Sequence, residues 1–221
     1  MYYFIAITTL VLFSGHIEAR DSWEVPVKAF DALKVDTGIE AEVVCGDESK
    51  VVVETSEDTF DRLDIRVRGG ELEIERDLNM GSFFGDHHDS VFVTVYTTQV
   101  LDQIEAYTAG VIDVDSCAVS KDELRVHVST GASVNVSGET KDLELKVSTG
   151  GDFNSHRHRS DLTVARANVK LSTGASAGLC AVELIEGKLS TGANIYASSK
   201  AEVDVRLGTG ADVSYSRCRS D

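Results

Sequence analysis

The chain has 221 residues, 42% of them hydrophobic, and sets 37 acidic side chains against 21 basic ones for a formal charge of −16. That length fits one domain. So acidic a surface repels nucleic acid and anionic membranes, which excludes both as default partners.

Met1 to Phe13 is an apolar run too short to span a bilayer. With Ser14, Gly15 and the sequence Ile17-Glu18-Ala19 after it, the run reads as a secretory signal peptide over 1–19, cleaved after Ala19. Its start lacks Lys and Arg, and the alternative is a buried N-terminal strand. No cysteine follows to carry a lipid, and no second apolar segment exists. The expectation is an exported, soluble mature chain forming a single domain over 20–221.

Residues 20–100 carry strand candidates at 25–27, 32–35, 40–44, 50–54, 63–67, 71–75 and 90–96. Gly69-Gly70 between Val67-Arg68 and Glu71-Leu72 predicts a hairpin turn. This part is expected to be partly antiparallel and to cap one end of the fold. The stretch 78–90 holds Phe83-Phe84-Gly85-Asp86-His87-His88-Asp89. Aromatic loops often carry function, so Phe83, Phe84, His87 and His88 are the candidate ligand contacts.

Residues 101–215 repeat a phrase. Ser-Thr-Gly stands at 129–131, 148–150, 172–174 and 190–192, with degenerate copies Asp36-Thr37-Gly38, Thr108-Ala109-Gly110 and Gly208-Thr209-Gly210. Alternation of period two runs up to each copy: Leu124, Val126 and Val128 share one phase, as do Leu143, Leu145 and Val147. A period near 20 residues is the mark of a stacked repeat. The predicted fold is all-β, a β-helix-like solenoid of about 20-residue rungs. Extended through the phrase, the same phase places each threonine inside, at a corner that glycine makes permissive. An antiparallel β-sandwich is the competing architecture.

Cys45, Cys117, Cys180 and Cys218 are an even set, as expected of disulfides in an exported chain. Cys45 and Cys117 each lie seven residues after Gly38 and Gly110, which favours Cys45–Cys117 and Cys180–Cys218 among three connectivities. No CxxC pair exists, so a zinc ribbon is excluded on spacing.

With these residues in view, the chain resembles the head GIN domain family of bacterial auto-transporter adhesins. The resemblance rests on Phe30-Asp31-Ala32-Leu33-Lys34-Val35 through Ile39, Leu63-Asp64-Ile65, Gly69-Gly70-Glu71-Leu72-Glu73-Ile74, Val91 to Tyr96 and Leu101-Asp102-Gln103-Ile104. It spans about residues 27–215. Where the family repeats Ser-Gly-Ala, this chain has Ser-Thr-Gly-Ala. The resemblance implies a right-handed β-helix-like fold and brings no catalytic residues. What remains of the chain is too short for a barrel of ~8 or more strands.

The chemistry-bearing residues are sparse. Asp36-Thr37-Gly38 matches the aspartic-protease phrase, but that mechanism needs a second such aspartate, and the phrase aligns with the repeat. Asp86, His87, His88 and Asp89, with His156 and His158, could chelate a metal, although solvated loop residues fit better. Asp113 and Asp115, with Asp122, Glu202, Asp204 and Asp212, could line an acidic stripe that takes calcium; the plainer reading is a charged, solubilising face, and no cofactor is required. His127 shares an outward phase with Ser129 but lacks the third group of a hydrolase. The basic residues read as scattered, without a stripe.

The expected function is therefore a non-catalytic, exported binding or adhesion module of the cell envelope, periplasmic or at the cell surface, whose partner is a glycan or a protein surface. The alternatives are a polysaccharide lyase or hydrolase built on a β-helix, and a purely structural envelope protein.

Overall fold

The computed structural model describes residues 21–77, 90–154, 162–215 and 218. The predicted signal peptide, Phe83, Phe84, His87, His88, His156 and His158 lie outside them. Among the described residues nineteen strands form two sheets that face each other across one core. Sheet I holds β1 (Asp21–Pro26), β3 (Ile39–Cys45), β4 (Lys50–Thr55), β7 (Val91–Thr97), β9 (Val111–Val114), β11 (Ser133–Val136), β13 (Asp152–Phe153), β15 (Ser176–Leu179), β17 (Asn194–Ala197) and β19 (Asp212–Ser214). Sheet II holds β2 (Ala32–Val35), β5 (Leu63–Arg68), β6 (Glu71–Arg76), β8 (Gln103–Ala106), β10 (Glu123–Val128), β12 (Gly138–Val147), β14 (Leu162–Leu171), β16 (Val182–Leu189) and β18 (Glu202–Leu207).

From β8 to β18 the chain winds five turns, each giving one strand to each sheet, and every strand pairs in parallel with the strand one turn on. The predicted alternation does this work. Leu124, Val126, Val128, Leu143, Leu145 and Val147 are at most 2% exposed, while their neighbours face solvent. One rung alone could not bury that face; stacking buries it on both sides. This is the solenoid, not the sandwich, because the ladders of the repeat are parallel.

The order of rungs is not sequential at the N-terminal end. The rung of β2 and β3 lies between that of β6 and β7 and that of β8 and β9. Beyond β6 and β7 the ladders turn antiparallel: β4 and then β1 extend sheet I, and β5 extends sheet II. The β5–β6 hairpin turns through Gly69 and Gly70, both at positive φ, with Arg68 opposite Glu71 as the sequence predicts. Trp23 stacks on Phe60 at 4.6 Å to close this end.

The corners correct one expectation. The repeated threonines are exposed, not inward. Thr130 and Gly131 have φ of 56° and 72°, and Ala132 N–H donates to Ser129 O at 3.2 Å. That is a two-residue turn of the type I′ kind, and such a turn consumes both positions outside the core. Thr149, Thr173 and Thr191 take the same left-handed conformation. The turns also stack: the amides of Gly131, Gly150, Gly174 and Gly192 donate to the carbonyls of Thr149, Thr173, Thr191 and Thr209 in the next rung at 2.9–3.0 Å. Asp36-Thr37-Gly38 makes the same turn, with Thr37 and Gly38 at φ 63° and 66°.

Both favoured disulfides are present, Cys45–Cys117 with Cα atoms 6.1 Å apart and Cys180–Cys218 with 5.3 Å. The spacing argument for the first is nevertheless off by one. Glu40 pairs with Val111, so Ala109 occupies the turn position that Gly110 was expected to fill. That register projects Cys45 onto Ser116, and the 3-10 turn over Ser116–Ala118 absorbs the offset.

Candidate functional site

Parallel, in-register strands stack the same step of successive rungs into columns about 4.8 Å apart. On the outer face of sheet II one such column reads His127, Lys146, Lys170, Lys188, Arg206. Two residues back along each strand a second column reads Arg125, Glu144, Asn168, Glu186, Asp204. Two residues forward stand Ser129, Ser148, Ser172 and Ser190, then the exposed threonines of the corner. Ser129 Oγ and Ser148 Oγ are hydrogen-bonded at 3.1 Å. A basic ladder thus runs along the solenoid between an acidic one and a hydroxyl one, on a chain of net charge −16.

The basic residues are therefore not scattered, which corrects the sequence reading. The signal stands two residues before each serine, in His127-Val128-Ser129, Lys146-Val147-Ser148, Lys170-Leu171-Ser172 and Lys188-Leu189-Ser190, and two before Gly208 in Arg206-Leu207-Gly208. It is lost in a linear scan because a charge every ~20 residues looks dispersed until the rungs are stacked.

Like charges directly opposite on neighbouring strands are unfavourable. Lys146 is offset by Glu144 on its own strand, 3.0 Å away, and that contact holds the Glu144 carboxyl below its usual range. Among the described residues Lys170, Lys188 and Arg206 have no ion-pair partner. The N-terminal part of the same face differs. There Lys34 meets Glu75 at 2.5 Å, and Arg66 bonds Asp64, Glu73 and Glu75, so these two cations are consumed internally. Burial, then repulsion from Glu105, pushes the Glu71 carboxyl up.

Where the two halves meet, Gln103, Glu105, Arg125, His127, Glu144 and Lys146 line a shallow hollow of about 110 Å³. Tyr107 lies beside it, its hydroxyl 2.8 Å from Glu105 Oε2 and 2.8 Å from His127 Nδ1. The single phenol proton goes to the carboxylate, so His127 donates from Nδ1. Burial, followed by the bond to Glu105, drives the Tyr107 phenol well above its ordinary range. A phenol so held is a donor and no base, and His127 is turned to Tyr107 rather than to Ser129.

Sheet I presents a wider hollow of about 470 Å³ lined by Glu40, Glu42, Glu54, Phe92, Thr94 and Asp113. Asp113 sits half-buried on β9; Asp115 lies just past the strand and is exposed. The acidic stripe does not assemble, because Asp113 and Asp212 belong to sheet I, Glu202 and Asp204 belong to sheet II, and Asp122 precedes β10. Among the described residues no three His, Cys, Asp or Glu side chains converge where an ion could be held.

Residues 29–216 match the family model described as "Putative auto-transporter adhesin, head GIN domain". No functionally curated protein matches the chain in sequence. Among solved structures, a putative adhesin from Bacteroides fragilis NCTC 9343 is similar with a TM-score of 0.62 at 13% identity, over 89% of this chain and 97% of that one. A putative adhesin from Parabacteroides merdae ATCC 43184 gives 0.52 at 14% identity, over 90% and 96%. A putative lipid binding protein from Parabacteroides distasonis ATCC 8503 gives 0.50 at 11%, over 90% and 97%. At these identities the likeness establishes the fold.

Proposed function

The chain belongs to the head GIN domain family of auto-transporter adhesins, and from that premise we propose that it is a non-catalytic binding module of the cell envelope that engages an extended glycan or a protein surface through the outer face of sheet II. The observation that carries this reading is the basic ladder of His127, Lys146, Lys170, Lys188 and Arg206 flanked by hydroxyls. It repeats once per rung, so it offers regularly spaced donors to a ligand laid along the solenoid. Lys170, Lys188 and Arg206 are exposed and make no salt bridge among the described residues, which leaves their donors open to a ligand. The shallow hollow on this face suits a ligand laid along it.

Two disulfides and an adhesin family mark an exported protein. Among the described residues no helix is long and apolar enough to cross a membrane. Within the envelope, a cell-surface or periplasmic position suits this reading.

A glycan array probed with the purified chain, in calcium and in chelator, tests it. Selective binding is expected, and it should erode stepwise through Lys146→Glu, Lys170→Glu and Lys188→Glu. Binding that survives the triple variant unchanged would remove sheet II from the account. Turnover of a bound glycan, abolished by one substitution, would replace the module with an enzyme. Loss on chelation would restore a calcium site at Asp113 and Asp115.

A further inference from the structure

Three inner strands of sheet II, β12, β14 and β16, carry the same outward triplet. Lys146, Ser148 and Thr149 are followed one rung on by Lys170, Ser172 and Thr173, and then by Lys188, Ser190 and Thr191. The register sets Lys146 directly beside Lys170 and Lys170 beside Lys188, so the lysine column advances by about 4.8 Å per rung. All three strands are paired on both edges, with β10 beyond β12 and β18 beyond β16. The lysines and threonines are exposed and the serines half-buried. Among the described residues the side chains of Lys170, Lys188, Ser172 and Ser190 have no partner. The opposite flank of the column is acidic. Glu144 and Glu186 stand two residues before Lys146 and Lys188, and only Asn168, two before Lys170, interrupts them. A negatively charged ligand is repelled from that flank and kept over the lysine, serine and threonine steps.

We propose that this strip binds a linear acidic glycan laid along the solenoid, its carboxylate or sulfate groups on Lys146, Lys170 and Lys188 and its hydroxyls on the serine and threonine steps. The proposal rests on sheet II being the binding face and names the ligand class that face takes. Each rung of the strip offers one cation and two hydroxyls, and no apolar or aromatic side chain. A protein partner would be anchored by buried aromatic and apolar groups, and a single-stranded nucleic acid by aromatic platforms for its bases; the strip provides neither. Hydroxyls beside regularly spaced cations match a chain of linked sugars bearing acid groups. A sugar ring in an extended chain is about as long as the step between rungs, so the match repeats from rung to rung. The chain as a whole, at −16, exerts no long-range attraction on a polyanion. Affinity therefore depends on which lysines are present and not on how many the surface carries.

The test is calorimetric binding of acidic oligosaccharides and their uncharged counterparts to the purified, disulfide-intact chain: oligogalacturonate against its methyl ester, and a sulfated galactan oligosaccharide against the desulfated one. At least one acidic probe is expected to bind, about tenfold or more above its uncharged counterpart, and to weaken as salt is raised. Preference between the two acidic probes tells carboxylate from sulfate. Lys146→Gln, Lys170→Gln and Lys188→Gln should each lower affinity about fivefold, the worth of one cation facing an anionic surface. Lys141→Gln, on β12 but on the far side of Glu144, removes the same charge and should change nothing. All four lysines are exposed, and unchanged thermal unfolding separates lost binding from lost fold. Silence with both acidic probes would overturn the proposal, and so would equal binding of charged and uncharged probes. A loss through Lys141→Gln as large as through Lys170→Gln would also overturn it, as would a single-stranded oligonucleotide bound as tightly as either probe. Neutral glycans that bind and are lost in the triple lysine variant would overturn the acidic ligand while leaving sheet II as the binding face. Acidic probes that bind the triple variant undiminished would overturn both.

Discussion

Gly187→Ala should be among the most damaging single-methyl additions in this chain. Gly187 lies in β16 opposite Val169 of β14, at φ +136°, a conformation closed to side-chain-bearing residues. A Cβ there would sit 2.0 Å from the Val169 carbonyl oxygen and 2.9 Å from its carbon and nitrogen. The listener to that clash is backbone, which has no rotamer to change. Relief requires β16 to withdraw from β14 by about 1 Å, enough to break the two ladder bonds around the site. Backbone strain of about 1–3 kcal/mol and roughly 1–2 kcal/mol for each of the two broken bonds sum to about 3–7 kcal/mol. For a domain of this size each kcal/mol moves the melting point by about 2–4 °C, so a fall on the order of 10–20 °C is expected. The comparison is Gly174→Ala at a corner, where φ is +72° and nothing lies within 4 Å of the added methyl. Only the left-handed penalty of about 1–2 kcal/mol applies there. Thermal unfolding followed by circular dichroism measures both, and hydrogen exchange should place the loosening in β16 to β19. Equal shifts for the two variants would refute the close-approach argument.

Thr173→Asn should raise stability by about 0.5–1 kcal/mol, because asparagine tolerates the left-handed region better than a β-branched residue does; denaturant midpoints at unchanged slope would show it. Asn154→Ala removes a buried amide that accepts from Val136 N–H at 2.8 Å and donates to Val136 O at 3.2 Å where the β13 ladder has ended. Leaving those two groups unpaired should cost about 2–4 kcal/mol, read from the same denaturant curves. Tyr107 gives a pH dependence whose sign is definite. Its folded phenol ionises later than the ordinary tyrosine at about 10, so its contribution is complete below that value and is lost as pH rises above it. Tyr107→Phe should flatten the alkaline limb of stability against pH; an unchanged limb would show that the phenol does not carry it.

Much of the architecture was legible because it follows from local periodicity. Leu124, Val126 and Val128 alternate with charged neighbours, and a strand has no other way to present them than one face in and one face out. Recurrence of that run every 18–24 residues, too short for a second sheet layer of its own, determined stacked rungs, and Gly69-Gly70 determined a hairpin. The threonines defeated the same logic. Period two extended straight through Ser-Thr-Gly puts them inside, whereas two residues at positive φ step outside the strand and hand the phase on to Ala132. The spacing that favours Cys45–Cys117 reaches the observed bridge through a register that the structure moves by one.

What the tertiary structure alone decided is adjacency between rungs. Lys146, Lys170 and Lys188 are 24 and 18 residues apart in sequence, and only parallel pairing in register makes them neighbours at about 4.8 Å. The same pairing separates Asp113 from Asp204 onto opposite sheets, although both stand on outward steps of their strands. Alternation tells a residue which side of its own strand it faces; it carries no information on which sheet that strand joins or which strands flank it.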